Sequence, residues 1–558
     1  MKTITGRGRY YLKGINITND KRNLSFYILI SVLIIYSALI VFTQRYERLS
    51  ADSTIYLDLA KKYLSGDFAD AVNGYWGPML AWLFIPFLYF KATPVTAINA
   101  LNLIFGLLTI LGIWVLSLRF EMSEKIRGAV ILSLLPIMLF FSLVELIDFL
   151  LVCFIVYYLG FIFNNEYHNK LSNGVFCGIA GALAYFSKSY AFPFFIVHFS
   201  IMNVLHFRRL STRHERRKVL RNAVAGFAVF TIISAPWISA ISIKYDHLTF
   251  SNTGKGNFAP IGPDDPKTGL ERGVPIFHRG LFAPPNDKAT SAWEDPSYIW
   301  KDVTSWSPLD SPAHFKYFIK NIIRNVVDTL DIYETCSRLA LAIIVAYILL
   351  LISGPFNSQM LRGDRLYSFL TVLVFSGGYL PFHLEHRYLW TVNILLLLMG
   401  GHILNVIFQN DFFNKKLRSN ALIAIFALSF MITPLKSYMQ AGKNNINKEM
   451  YNLSANLKSR FNIHGNIASN REWEKIAIHD SWHKTFRISY WLNSKYYGQT
   501  EAVISDSDLE KELKKFGIDY YFIWGESQSI PAFLSNYKEL TNNSYPDLKI
   551  YSLKEKRN

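Results

Sequence analysis

Three cysteines in 558 residues are too few for a disulfide framework, and Cys153, Cys177 and Cys336 fall in or beside apolar runs with no zinc-ligand spacing. Charged residues are scarce, at 18%. No G-x-G-x-x-G fingerprint, P-loop or H-E-x-x-H occurs, which argues against a nucleotide-binding α/β enzyme and against a zincin. No internal repeat is visible. That absence weighs against a carrier, whose sites lie near the membrane midplane between repeated halves.

The apolar residues, 51% of the chain, fall in blocks close to bilayer length, so the sequence describes a mainly α, polytopic helical membrane protein. The first apolar run, Leu24 to Phe42, follows Lys2, Arg7, Arg9, Lys13, Lys21 and Arg22 and reads as an uncleaved span. Further spans are expected near 95–118, 127–143, 147–163, 174–187, 190–206, 219–241, 338–354, 366–382, 388–408 and 420–437, about eleven in all. A net charge of +17 would suit nucleic acid if it formed one face, but Lys and Arg sit in alternate connectors and act as topology signals. The N-terminus, Arg119 to Arg127, Arg208 to Lys218, Arg362 with Arg365, and Lys415 to Arg418 fall inside. The C-terminus then lies outside. A membrane domain at 1–437 carries outer segments 43–94 and 242–335, and 438–558 forms a small extracytoplasmic α/β domain. In that domain KIAIHD and IDYYFIW are expected strands, and SDSDLEKELKKFG a capped helix ending at Gly517. Within 242–335, Phe315, Phe318, Ile319, Ile322, Val326 and Leu330 make one apolar stripe, the pattern of an interfacial helix.

The stretch from Ser50 to Leu83 is the least loop-like connector. Asp52 and Tyr56, four apart, share a helix face, whereas Asp58 points elsewhere. An acid at a helix start also serves as a cap, so Asp52 or Ser53 alone proves nothing. More telling is the gathering of polar residues at the outer ends of spans, where an ionisable group costs roughly 2.5–3.5 kcal/mol to insert and usually faces a cavity. Glu145 and Asp148 lie three apart in one outer turn and on a helix would share a face, Lys188 and Ser189 lie in another, and Glu385, Arg387 and Tyr388 open a later span. His383, Glu385 and His386 are a weak metal signal, and Asp506-Ser507-Asp508 sits where a cap and first-turn acids belong.

In order and sidedness these features resemble the GT-C superfamily of integral-membrane glycosyltransferases, in the branch of protein O-mannosyltransferases and aminoarabinose transferases. The resemblance rests on Asp52 through Ala60, GYWGPMLAWL from Gly74, Asp148, GALAYFSKSYAFPF around Lys188, APWISAISIKYDHLTFSNTGKGNF from Ala235, LEHRYLW around Glu385, and GIDYYFIW. It implies an inverting transferase taking a polyprenyl-phosphate-linked sugar to an acceptor hydroxyl of a glycan, glycolipid or protein, on the outer face of a bacterial inner membrane. Asp52 is then the general base and Asp148 orients substrate. Lys188 and Arg387, with Tyr56, Glu385, Tyr388 and Lys244 and with Arg279 behind, meet the donor and its phosphate. No cofactor is called for, since a lipid phosphate leaves as a stable anion, although the oligosaccharyltransferase branch uses a metal and the point stays open. The aminoarabinose transferases place a Lys where Trp76-Gly77 precedes the proline here, so the same sugar is not expected. The competing class is a lipid-linked-sugar transporter or flippase.

Overall fold

The computed structural model describes residues 24–556 except 44–45, 259–261, 264–279, 302–305, 354–363, 442, 444–445, 472–479, 502–503, 526–529 and 543. All eleven expected spans coincide with helices: α1 (Leu24–Phe42), then, after α2 (Ala51–Leu64), α3 (Phe68–Ala71) and α4 (Pro78–Tyr89), α5 (Pro94–Ser117), α6 (Glu124–Val144), α7 (Leu146–Ile162), α8 (Leu171–Ser187), α9 (Ala191–Arg209) and α10 (Arg213–Tyr245). After α11 (Thr253–Phe258) and α12 (Pro312–Tyr333) come α13 (Ala340–Ser353), α14 (Asp364–Gly377), α15 (Trp390–Ile407) and α16 (Lys416–Ala441). Among the described residues, seven helices are long and apolar enough to cross a membrane; α7, α8, α13 and α14 are apolar but shorter.

Small residues set the closest helix contacts. A Cβ on Gly174 would lie 2.2 Å from the Asn222 carbonyl oxygen, and one on Gly178 2.4 Å from that of Gly226, so the G-x-x-x-G face of α8 lets α10 approach at backbone distance. Asn222 then satisfies that junction by donating to the carbonyls of Tyr167 and Lys170, at 2.7 and 2.9 Å.

α12 is built inside out by the standards of a water-soluble helix. Its buried row is polar: Asn321, Asn325 and Thr329 are 3–5% exposed, and Asn325 donates to the carbonyls of Leu380 and Phe382 at 2.7 and 2.9 Å. Its apolar row faces out, with Phe315 52% and Ile323 61% exposed, flanked by exposed Lys316, Lys320 and Arg324. An outward apolar stripe beside a basic row is stable where the surroundings are lipid.

The C-terminal region holds α17 (Ile446–Phe461), α18 (Ser481–Trp491), α19 (Asp506–Lys515) and a six-stranded sheet. Its strands are β1 (Gly280–Leu281), β2 (Asn466–Ser469), β3 (Lys495–Gln499), β4 (Tyr520–Trp524), β5 (Tyr537–Glu539) and β6 (Leu548–Lys556), in the order β1-β3-β2-β4-β6-β5. β2 runs parallel to both β3 and β4, as helical crossovers demand. IDYYFIW forms β4, and SDSDLEKELKKFG forms α19, capped by Ser505 and ended at Gly517 with φ +59°. KIAIHD lies outside the described residues except Asp480, whose side chain accepts from the backbone N–H of His483 and caps α18. β1 comes from the outer segment before α12, so this sheet is completed from a distance in sequence.

Candidate active site

Ser50, not Asp52 or Ser53, caps α2: its hydroxyl accepts from the Ser53 N–H at 3.0 Å and donates to Glu145 at 2.6 Å. Asp52 is thereby free of capping duty, two residues into the helix. Its carboxylate accepts from Arg387 at 2.9 Å, and both line a cavity of about 200 Å³ together with Tyr56, Asp148, Lys188 and Tyr388. Asp58 turns away, as its position on the helix requires, and accepts from Lys61 and Thr290.

Arg387 is the hub. Besides Asp52 it lies 2.7 Å from Glu385, 3.3 Å from Glu145 and 3.5 Å from Asp148. Lys188 pairs with the other oxygen of Asp148, and its ammonium lies 3.5 Å from the centroid of the Tyr388 ring, whose hydroxyl donates to Glu385. Two cations therefore face four buried or half-buried carboxylates. Burial raises the Asp52 carboxyl above the usual range, with Arg387 opposing. Glu145 is pushed up further, by burial and then by the charge of Asp52. Burial also works to raise Glu385, but the charge and hydrogen bonds of Arg387 prevail and hold it at about 2. Burial lowers Lys188, opposed by Asp148.

The backbone makes these meetings possible. α6 and α7 are separated by one extended residue, Glu145, with φ −146°, so Glu145 and Asp148 do not share a helical face as their spacing suggested; both reach Arg387 because the chain breaks between them. Lys188 occupies a similar extended break between α8 and α9. Gly77 starts α4 against that break: a Cβ there would lie 2.4 Å from the Phe186 carbonyl oxygen and 2.8 Å from that of Ser187.

Of the residues expected at the site, Asp52, Tyr56, Asp148, Lys188, Glu385, Arg387 and Tyr388 line this cavity. Lys244 does not line it. Its ammonium donates to the carbonyls of Ala69 and Val72, at 3.0 and 2.6 Å, and ties the end of α10 to the α3 turn. Arg279 lies outside the described residues. The long outer segment contributes Thr253, Gly256, Asn257 and Trp293 to the wall. Arg487 of α18, buried against the site, went unnoticed in the sequence; burial lowers it to about 10, opposed by Glu145, Asp480 and Asp52.

No family model and no curated protein matches the chain. Solved structures do. The archaeal oligosaccharyltransferase AglB from Archaeoglobus fulgidus, in complex with an inhibitory peptide and a dolichol-phosphate, superposes with a TM-score of 0.52 at 13% identity, over 93% of this chain and 73% of that one. ArnT from Cupriavidus metallidurans in the apo state gives 0.50 at 11%, over 93% and 97%. The fold is that of the GT-C glycosyltransferases. Within that fold at least one oxygen of each of Asp52, Glu145, Asp148 and Glu385 faces Arg387 or Lys188. Among the described residues no group of three His, Cys, Asp or Glu side chains is placed to hold a metal.

Proposed function

We propose that this chain is an inverting glycosyltransferase that moves a sugar from a polyprenyl-phosphate-linked donor to an acceptor hydroxyl on the outer face of a bacterial inner membrane. One observation carries the proposal: a buried carboxylate, Asp52, stands in a cavity beside two cations at the ends of apolar helices. A lipid-anchored donor reaches such a place from the bilayer, and the basic residues of alternate connectors put it outside. The likeness in fold to AglB and ArnT supports the same reading.

In this mechanism the acceptor O–H gives its proton to Asp52 as its oxygen attacks the anomeric carbon. The new C–O bond forms opposite the phosphate, the bond from that carbon to the phosphate oxygen breaks, and the lipid phosphate leaves with the electron pair. Lys188 and Arg387 receive the developing anion, which needs fixed positive charge and no proton. Asp148 and Glu385 hold these cations until the donor arrives. Arg387 also couples the two events. When phosphate draws its charge, Asp52 loses the partner that opposes its raised basicity, so donor binding prepares the base. The region 1–437 carries this chemistry, since the cavity is lined from Asp52 to Tyr388.

The test is loss of polyprenyl-phosphate sugars in detergent, with a membrane-glycolipid extract as acceptor, for wild type and Asp52→Asn. Donor loss that falls by about 10²–10⁴ in the variant, at unchanged thermal midpoint, is expected of a general base. Detergent abolishes the two compartments. A lipid-linked-sugar carrier therefore shows no turnover in either protein, and loss that persists in Asp52→Asn removes the base from Asp52.

A further inference from the structure

Segment 290–295 of the outer loop is a strap fastened on two sides. On one side Glu294 pairs with Lys62 of α2, both 1% exposed, while Asn73 donates to the Glu294 carbonyl at 2.6 Å and Thr290 donates to Asp58 at 2.5 Å. On the other, Tyr496 of β3 donates its N–H to the Thr290 carbonyl at 2.7 Å, and Ser291 bridges to the same strand. A fully buried ion pair is a poor way to gain stability and a good way to fix one geometry. The strap sends one side chain, Trp293, into the cavity. The Trp293 carbonyl accepts from the Trp76 indole at 3.1 Å, and its ring packs on Trp482 and Phe486 of α18 with centroids 5.1 and 5.7 Å away. Trp76 packs edge-on with Trp293 at 5.6 Å and with Tyr56 at 5.3 Å between ring centroids, and all three line the same cavity as Asp52.

We propose that Trp293 is the platform for a sugar ring of the acceptor, so that the hydroxyl facing Asp52 belongs to a carbohydrate and the C-terminal region serves to hold that platform. This inference takes the existence of an acceptor from the transferase proposal. A pyranose presents C–H groups to the electron-rich face of an indole and hydroxyls around its edge. The outer segment that carries Trp293 also brings uncharged partners for those hydroxyls to the lining in Thr253 and Asn257, while full charges are gathered at Lys188 and Arg387. The two substrates are thereby separated. Lys188 belongs to the α8–α9 break at the span ends, where a lipid phosphate enters, and Trp293 to the strap braced by the C-terminal sheet.

Binding can be read without turnover. The full chain, labelled with 5-fluorotryptophan, has 12 indole ¹⁹F signals, and the one missing from Trp293→Phe, or from Trp293→Tyr should the first fold poorly, is that of Trp293. The probes are methyl hexosides, a β-linked N-acetylglucosamine disaccharide and a Ser/Thr-containing hexapeptide at about 10 mM, a level suited to the millimolar affinity of a single stacked ring. A shift of the Trp293 signal with a saccharide and none with the peptide is expected. A shift with the peptide alone overturns the proposal in favour of a protein acceptor, and no shift with any probe overturns it outright. Once an acceptor is in hand, Trp293→Leu should raise its KM roughly three- to tenfold, the worth of one aromatic contact, and leave the donor KM within about twofold. Saccharide binding without donor turnover would count against the transferase alone; turnover without saccharide binding would count against the platform alone.

Discussion

α2 and α12 both pack near the turn that carries Arg387, and each sets aside the rule by which apolar residues go in and polar ones out. α2 buries Asp52, Asp58 and Lys62 along with its apolar residues; α12 buries Asn321, Asn325 and Thr329 and shows its apolar row to the outside. The reasons differ. In α12 the protein side satisfies the polar row, and the outward apolar row is the face that an apolar medium would favour. In α2 the medium is protein all round, and each buried charge has been given a named partner, Arg387 for Asp52, Lys61 and Thr290 for Asp58, Glu294 for Lys62. Periodicity therefore reports the surroundings of α12. For α2 it reports almost nothing, and the partners carry the information.

The contrast can be broken most sharply at Arg387. Arg387→Met leaves Asp52, Glu145 and Glu385 without their common cation, and the loss should be about 3–5 kcal/mol, seen as a fall in thermal midpoint in detergent. A midpoint unchanged in Arg387→Met would mean that the carboxylates are not held by it.

Next in size is the pH response of the strap on α2. Burial raises Glu294 from 4.5 to about 7 despite the opposing charge of Lys62, with Asp58 adding to the rise and Asn286 opposing it. The folded state keeps the proton longer than the unfolded one, so this stabilisation is full below about pH 4.5, declines as pH rises, and is gone above about 7. At 1.36 kcal/mol per unit it amounts to roughly 3 kcal/mol. Hydrogen exchange at 290–295 should quicken across that window, after correction for intrinsic exchange, and Glu294→Gln should remove the dependence; a flat profile in wild type would contradict it.

The smallest effects separate the two faces of α12. Asn325→Leu, which makes the helix more apolar, leaves the carbonyls of Leu380 and Phe382 without their donor and should cost about 1–3 kcal/mol. Ile323→Ser, which makes it more polar, should change stability in detergent by less than about 0.5 kcal/mol. Equal losses in the two variants would show that α12 packs its apolar row against protein.

Much of the candidate site is legible in the sequence. Spacing of four put Asp52 and Tyr56 on one face, and the cost of charge in a bilayer marked Asp148, Lys188, Glu385 and Arg387 as cavity residues; all six line one cavity. Sidedness alone misled at Lys244, whose ammonium was equally well spent on two backbone carbonyls. Spacing misled at Glu145, because one extended residue between α6 and α7 cancels helical geometry. Trp293 and Arg487 had no local signal. A Trp in a long polar loop and an Arg in a short helix are ordinary until another segment is laid against them.

The sequence by itself determined where the apolar helices lie and that α12 carries an apolar stripe, because those properties depend on composition over one or a few helical turns. Only the tertiary structure decided which charges meet. Lys62 and Glu294 are 232 residues apart and Asp52 and Arg387 335 apart, and β1 joins its sheet from the far side of α12 through α17. Such pairings depend on how helices stack and where single residues break them, and a Cβ at Gly77 or a helical turn at Glu145 would be enough to undo them.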